Sequence, residues 1–184
     1  VCLPAQRQAI TVLVLGSAMV VLGTLVILRT SDLRPYSVML FATHGLVGGQ
    51  MEGLDEPALL LSPPDTDSGN DGILTASEVA QMRIGADWVI LSACNTAAGS
   101  SAQAQTYSGL AQAFRYAGAG ALLVSHWPVR DDAGTFITVE TVKANRRGAY
   151  RGVALQRAML KLIRSGKPDA VQPYVWAPFI LVGQ

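Results

Sequence analysis

Three short apolar runs, Val38-Met39-Leu40-Phe41, Trp88-Val89-Ile90-Leu91 and Ala121-Leu122-Leu123-Val124, constrain this chain more than anything else in it. None alternates apolar with polar residues, so each predicts a strand buried on both faces, as in a parallel sheet covered by helices. The strands are expected over Ser37–Phe41, Asp87–Ala93 and Ala121–Val124. Each stops abruptly in polar residues: Thr43-His44-Gly45 after the first, Cys94-Asn95-Thr96 after the second, Ser125-His126-Trp127 after the third. Ligands of open α/β sheets bind beyond the carboxyl ends of the strands, so this edge is the expected site.

The segments between the strands have the markers of helices and loops. Thr75-Ala76-Ser77-Glu78 has the form of a capping box and predicts a helix to about Arg83, stopped by Gly85. Leu110, Ala111, Phe114 and Ala117 share one face of a helix expected over Tyr107–Ala117, ended by Gly118 and Gly120. Asn95–Gln105 before it is small and polar, and reads as a loop. Two more helices are expected over Ala133–Asn145 and Tyr150–Arg164, the second with an inward stripe of Ala154, Leu155, Ala158, Met159 and Leu162. The stretch from His44 to Asp71 is rich in Gly and Pro and reads as a long loop, with Ala58-Leu59-Leu60-Leu61 as a possible hairpin strand. Tyr174–Val182, around Pro178, is expected at a sheet edge. Strands alternating with helices make an α/β layered domain with a mostly parallel sheet.

With 184 residues, half of them hydrophobic and 15% charged, the chain suits one domain with a sizeable core and excludes general disorder. The two cysteines, Cys2 and Cys94, are too few for a disulfide scaffold, so a reducing, cytoplasmic setting is the simpler expectation. The net charge of +1 conceals a segregation. Residues 52–87 carry eight acids against Arg83 alone, whereas Lys143, Arg146, Arg147, Arg151, Arg157, Lys161 and Arg164 stand without an acid across 143–164. That basic stretch is either a solvated helix face or a docking face for an acidic partner.

Residues 1–31 form an apolar N-terminal segment, and the chain's opening valine is expected of a fragment or a processed product. Ala9 to Leu28 is twenty uncharged residues between Arg7 and Arg29, long enough to span a bilayer as a single helix. The β-branched run Ile10–Leu15 followed by Gly16-Ser17 favours a core strand leading into a helix instead. Any membrane contact would run through residues 9–28.

His44 and Cys94 are fifty positions apart at two strand ends. A thiol becomes a strong nucleophile as the thiolate, and a neighbouring imidazole either raises the thiolate fraction or takes the proton during attack. Attack on a carbonyl needs donors for the resulting oxyanion, and the backbone N–H groups of Gly45 and Cys94 are the candidates. Gly45 has no side chain to keep a substrate oxygen away from its amide. Two histidines and one internal cysteine, with no CxxC and no HExxH, supply no recognisable metal-ligand set, and no cofactor is expected. A Walker loop and a G-x-S-x-G elbow are absent as well, and no nucleic-acid partner is expected. His126 lies at a strand end too, but the chemistry does not require it, and it is read as structural.

Phe41-Ala42-Thr43-His44-Gly45, Glu56-Pro57-Ala58-Leu59-Leu60-Leu61, Gly72-Ile73-Leu74-Thr75-Ala76-Ser77-Glu78-Val79, Leu91-Ser92-Ala93-Cys94-Asn95-Thr96 and Trp176-Ala177-Pro178-Phe179 together resemble the bacterial CHAT domain. That family is caspase-like and related to separase, and its members often follow tetratricopeptide repeats. A histidine about fifty residues upstream of the cysteine is also a caspase-like spacing. The resemblance covers residues 32–184 and implies a caspase-like three-layer α/β fold, a mostly parallel central sheet flanked by helices. The family's domain begins upstream of Val1, so one or more strands are expected to be missing from this chain. The resemblance further implies a cysteine endopeptidase with a His44 and Cys94 dyad, the effector domain of a larger protein regulated by an N-terminal repeat region. Its partner is then a protein substrate. Trp127-Pro128-Val129-Arg130-Asp131 looks like the separase segment in which an acid receives a substrate arginine, which makes Asp131 a candidate substrate-binding residue. Asp131 would equally serve as a cap for the following helix. A catalytically silent domain that keeps the fold and binds a protein partner is the alternative.

Overall fold

A computed structural model describes residues 28, 32–46, 48–61, 71–91, 101–127 and 129–183, with the backbone alone for 101–108. The expected strand, helix or membrane segment before Leu28, Cys94 with its amide, and the loop over 95–100 lie outside the described residues. Leu28 itself is buried in the core.

The three apolar runs form the strands β1 (Val38–Phe41), β5 (Trp88–Leu91) and β6 (Leu122–Ser125) of one sheet. Its order is β1-β5-β6-β7, where β7 is Phe179–Val182. β1 pairs parallel with β5 and β5 with β6, while β7 closes one edge antiparallel to β6. Period-two alternation assigns each strand's residues to opposite faces. Met39, Phe41, Val89, Leu91, Leu122 and Val124 meet the helices α1 (Ala76–Gln81) and α2 (Ser101–Tyr116) on one side. Val38, Trp88, Ile90 and Leu123 meet α3 (Asp131–Arg146) and α4 (Arg151–Ile163) on the other. Both faces are covered, which is why the runs carry no polar alternation. This is the expected three-layer, caspase-like arrangement with a mostly parallel sheet.

The stretch read as a long loop after β1 contributes two strands to a second sheet, one of them the expected hairpin strand, and a third strand follows it. β2 (His44–Leu46), β3 (Ala58–Leu60) and β4 (Ile73–Thr75) pair antiparallel in that order. β2 and β4 escape sequence reading because three residues are too few to show a period. Leu59 and Leu74, both wholly inaccessible, tie this sheet to the core shared with α1 and α2.

Three boundaries differ from expectation. The capping-box helix ends at Gln81, with Met82 extended at its C-cap, two residues short of Arg83. α2 begins at Ser101, so the supposed loop over 95–105 loses its last five residues to helix. Within Tyr174–Val182, Pro173–Trp176 forms a short helix, α5, and only Phe179–Val182 is the edge strand. Proline at the first position of a helix needs no N–H there, which suits Pro173.

The α3–α4 hairpin is fixed to the sheet through Trp88. Its indole N–H donates to Asn145 Oδ1 at 2.8 Å, and Asn145 Nδ2 donates to the Ala149 carbonyl at 2.9 Å. Among the described residues no helix is long and apolar enough to cross a membrane.

Candidate active site

β1 and β5 are neighbours in parallel register, and Phe41 is the partner of Leu91 at their carboxyl ends. His44 is three positions beyond Phe41, and Cys94 three positions beyond Leu91 in the sequence. His44 opens β2 and is exposed. Between Phe41 and His44 the chain passes from the central sheet to the small one, and Thr43 anchors that passage by donating its hydroxyl to the Leu60 carbonyl on β3.

The hydrogen-bond phase of the small sheet decides where the Gly45 amide points. Leu61 N–H donates to the Gly72 carbonyl and Ala76 N–H to the Pro57 carbonyl, each at 2.8 Å. Antiparallel ladders alternate between hydrogen-bonded and non-hydrogen-bonded pairs. Leu61 and Pro57 therefore direct their backbone groups at β4, as does Leu59, while Ala58 and Leu60 direct theirs at β2. On β2 the residues opposite Leu60 and Ala58 are His44 and Leu46, and Gly45 lies opposite Leu59. Gly45 thus turns its N–H away from β3. Among the described residues β2 is an edge strand of its sheet, and no strand ladder there takes up that amide.

The small sheet is held by the start of α1. Thr75 N–H donates to Glu78 Oε2 at 2.9 Å and Glu78 N–H to Thr75 Oγ1 at 3.3 Å, completing the expected capping box. Glu56, from the chain entering β3, accepts from both the N–H and the hydroxyl of Ser77 at 2.8 Å. Two carboxylates thereby satisfy helix N–H groups that have no partner within α1, where the helix dipole also favours negative charge. Glu56 and Ser77 stood in two of the motifs, but their pairing was not legible in the sequence because they are twenty-one residues apart.

At the end of β6 the chain is pinned against the C-terminal elements. His126 N–H donates to the Pro178 carbonyl at 2.9 Å, and Trp127 Nε1 donates to the Tyr174 carbonyl at 3.1 Å. The His126 ring is exposed and lies roughly parallel to Trp127, 6.4 Å between centroids.

Asp131 is the first residue of α3 and is exposed. It does not cap the helix: the N-cap is Arg130, and no side chain caps there. Its neighbours are committed to each other. Arg130 donates through Nε and Nη2 to the two oxygens of Asp132, both at 3.1 Å, with Asp169 4.0 Å away. The guanidinium holds the Asp132 carboxyl below the usual range. Asp131 forms no ion pair with a described residue. Sequence reading singled out Asp131 and missed Arg130, Asp132 and Asp169, because the third member comes from a turn after α4. Among the described residues no three His, Cys, Asp or Glu side chains converge as a metal site.

No curated protein matches the chain. The family model for the CHAT domain matches residues 10–184, nearly its whole length and well beyond the stretch over which the motifs were recognised. The chain therefore belongs to the CHAT domain family, a caspase-like family related to cysteine peptidases.

Proposed function

We propose that this chain is a cysteine endopeptidase domain in which the Cys94 thiolate attacks the scissile carbonyl and His44 manages the proton. The observation that carries the reading is the parallel register of β1 and β5 in a CHAT-family chain, with His44 and Cys94 each three residues past partnered strand ends. His44 takes the Sγ proton, and the new S–C bond forms as the carbonyl electron pair moves to oxygen. The oxyanion is received by the N–H groups of Gly45 and Cys94. Collapse breaks the C–N bond, the imidazolium gives its proton to the leaving amine, and a thioester remains. Water, deprotonated by His44, then hydrolyses the thioester and regenerates the thiol. The outward amide of Gly45 supports this role, since a preorganised donor removed from such a site costs about 3 kcal/mol of barrier.

Asp131 is the residue we assign to reading a basic side chain before the scissile bond. It is exposed, lies six residues beyond the end of β6 and has no ion pair among the described residues, whereas Asp132 is occupied by Arg130. The protein acted on would meet this edge of the sheet, and a repeat region preceding the domain would regulate access to it.

Labelling with a peptidyl chloromethyl ketone carrying arginine next to the electrophile tests the assignment. The natural chain should be labelled at Cys94, Cys94→Ala should not be labelled, and His44→Ala should label roughly a hundredfold more slowly. Equal labelling of the Cys94→Ala variant would refute the nucleophile. Equal rates with and without His44 would refute the base.

A further inference from the structure

The face of the molecule formed by α3 and α4 is built for a ligand of opposite charge. Two adjoining hollows, of about 500 and 210 Å³, run along the seam between these helices and share Arg157 and Lys161. Phe136 and Leu160 give the larger one an apolar lining, and Ala144 and Ala158 do the same for the smaller. Leu160 remains 38% exposed although it is a large apolar residue in a helix.

The cations along this seam are not equivalent. Lys161 and Lys143 are bound to one carboxylate, Glu140, at 2.6 and 3.3 Å. Lys161 also stands 5.8 Å from the centroid of Phe136, with Lys167 at 5.6 Å. Arg147, Arg157 and Arg164 line the same hollows and form no ion pair with any described residue. Arg157 lies on α4 and Arg164 is its C-cap residue, seven positions further on and roughly 10 Å along the helix axis. That separation equals the one between acids at i and i+7 of an opposing helix. Arginine's planar fork is suited to carboxylates, which it holds bidentately.

We infer that the α3–α4 groove is a docking site for an acidic amphipathic helix of a protein partner. The carboxylates of that helix meet Arg157, Arg164 and Arg147, and an apolar side chain enters the hollow beside Phe136 and Leu160. Charge complementarity selects an acidic occupant, and the apolar lining selects a peptide carrying an apolar side chain over a phosphodiester backbone. A phosphate chain has nothing to bury against Leu160. A bilayer needs a continuous apolar face, whereas Leu160 shares its hollow with Arg157, Lys161 and Arg164. The inference stands independently of the proposed thiol chemistry, because the groove lies on the face of the central sheet opposite the small sheet that carries His44.

Fluorescence anisotropy on the full chain tests it, with a labelled dodecapeptide of glutamate and alanine carrying one leucine at its centre and acids at helical spacing. Binding should weaken about thirtyfold in the Arg157→Glu/Arg164→Glu double variant and about fivefold in Leu160→Ala. Raising sodium chloride from about 50 to 300 mM should weaken it about tenfold. All substituted side chains are exposed, and circular dichroism melting of each variant shows whether the fold persists; the Leu160→Ala arm also separates a seated side chain from bulk charge attraction. Unchanged affinity in the folded double variant overturns the proposal. So does tighter binding of a single-stranded oligonucleotide or of phosphatidylserine vesicles than of the peptide.

Discussion

Thr43 and His44 are adjacent in sequence but do different work. Thr43 spends its hydroxyl on the Leu60 carbonyl and so fixes the turn from which the imidazole projects. Thr43→Val removes that donor while keeping the shape, at a net loss of about 1 kcal/mol for the hydrogen bond. The expected outcome is a several-fold slower labelling of Cys94 with only a small fall in melting temperature, and recovery of the rate in Thr43→Ser. A Thr43→Val variant that labels at the natural rate would show that the hydroxyl does not position His44. Asp131 makes a separate prediction. In Asp131→Ala a positional-scanning peptide library should lose its preference for a basic residue before the scissile bond, while the Asp132 and Arg130 pair stays intact. An unchanged preference at that position would remove Asp131 from the pocket.

At the scale of elements, the clearest strain-dependent feature is the end of α2. Gly118 has φ of +105°, and its N–H and that of Ala119 close on the Arg115 and Phe114 carbonyls at 3.1 and 3.0 Å. This is a Schellman ending, in which a residue with positive φ follows the helix. A Cβ on Gly118 would also collide with the Ile84 carbonyl. Gly118→Ala should therefore destabilise by about 2 kcal/mol or more, read as a lower urea midpoint with an unchanged slope.

The same element scale shows what the sequence could and could not tell. Gly118 was legible as a helix stop because glycine marks that position through its own backbone. The three central strands were legible because burial on both faces leaves an uninterrupted apolar run. β2 and β4 were not, since each has three residues and owes its place to pairing with β3, a contact between distant segments. Of the candidate site, the position of His44 just past a buried strand was readable in the sequence. The direction of the Gly45 amide was not, because it depends on the hydrogen-bond phase of β3 against β4. Nor was the occupation of Asp132 by Arg130, which frees Asp131 for another role.

Across the whole molecule, charge is divided by the central sheet. Among the described residues Glu56, Asp71 and Glu78 lie by the small sheet and α1, whereas the basic stretch runs through α3, α4 and the turn between them. Among the described residues of the basic layer, Glu140 is the one carboxylate that joins α3 to α4, through Lys161. Hydrogen bonds from Lys161 and then Lys143, outweighing partial burial, hold its carboxyl below the ordinary value of 4.5. A depressed carboxyl stabilises the folded state above its unfolded-state value and loses that contribution as pH falls through the lower folded value. Urea midpoints measured from pH 3 to pH 7 should thus place the natural chain above Glu140→Gln at neutral pH, with the two converging in acid. A constant offset across that range would show that Glu140 acts through packing instead of charge.

The central claim is that one edge of the sheet brings His44, Cys94 and the Gly45 amide to a single carbonyl. A crystal structure of the peptidyl chloromethyl ketone adduct tests it most directly. The account predicts Cys94 Sγ bonded to the inhibitor, the His44 ring within about 4 Å of that sulfur, and the inhibitor oxygen about 3 Å from the Gly45 nitrogen. An adduct at Cys94 with His44 on the far side of the sheet, or with the oxygen turned away from Gly45, would contradict it.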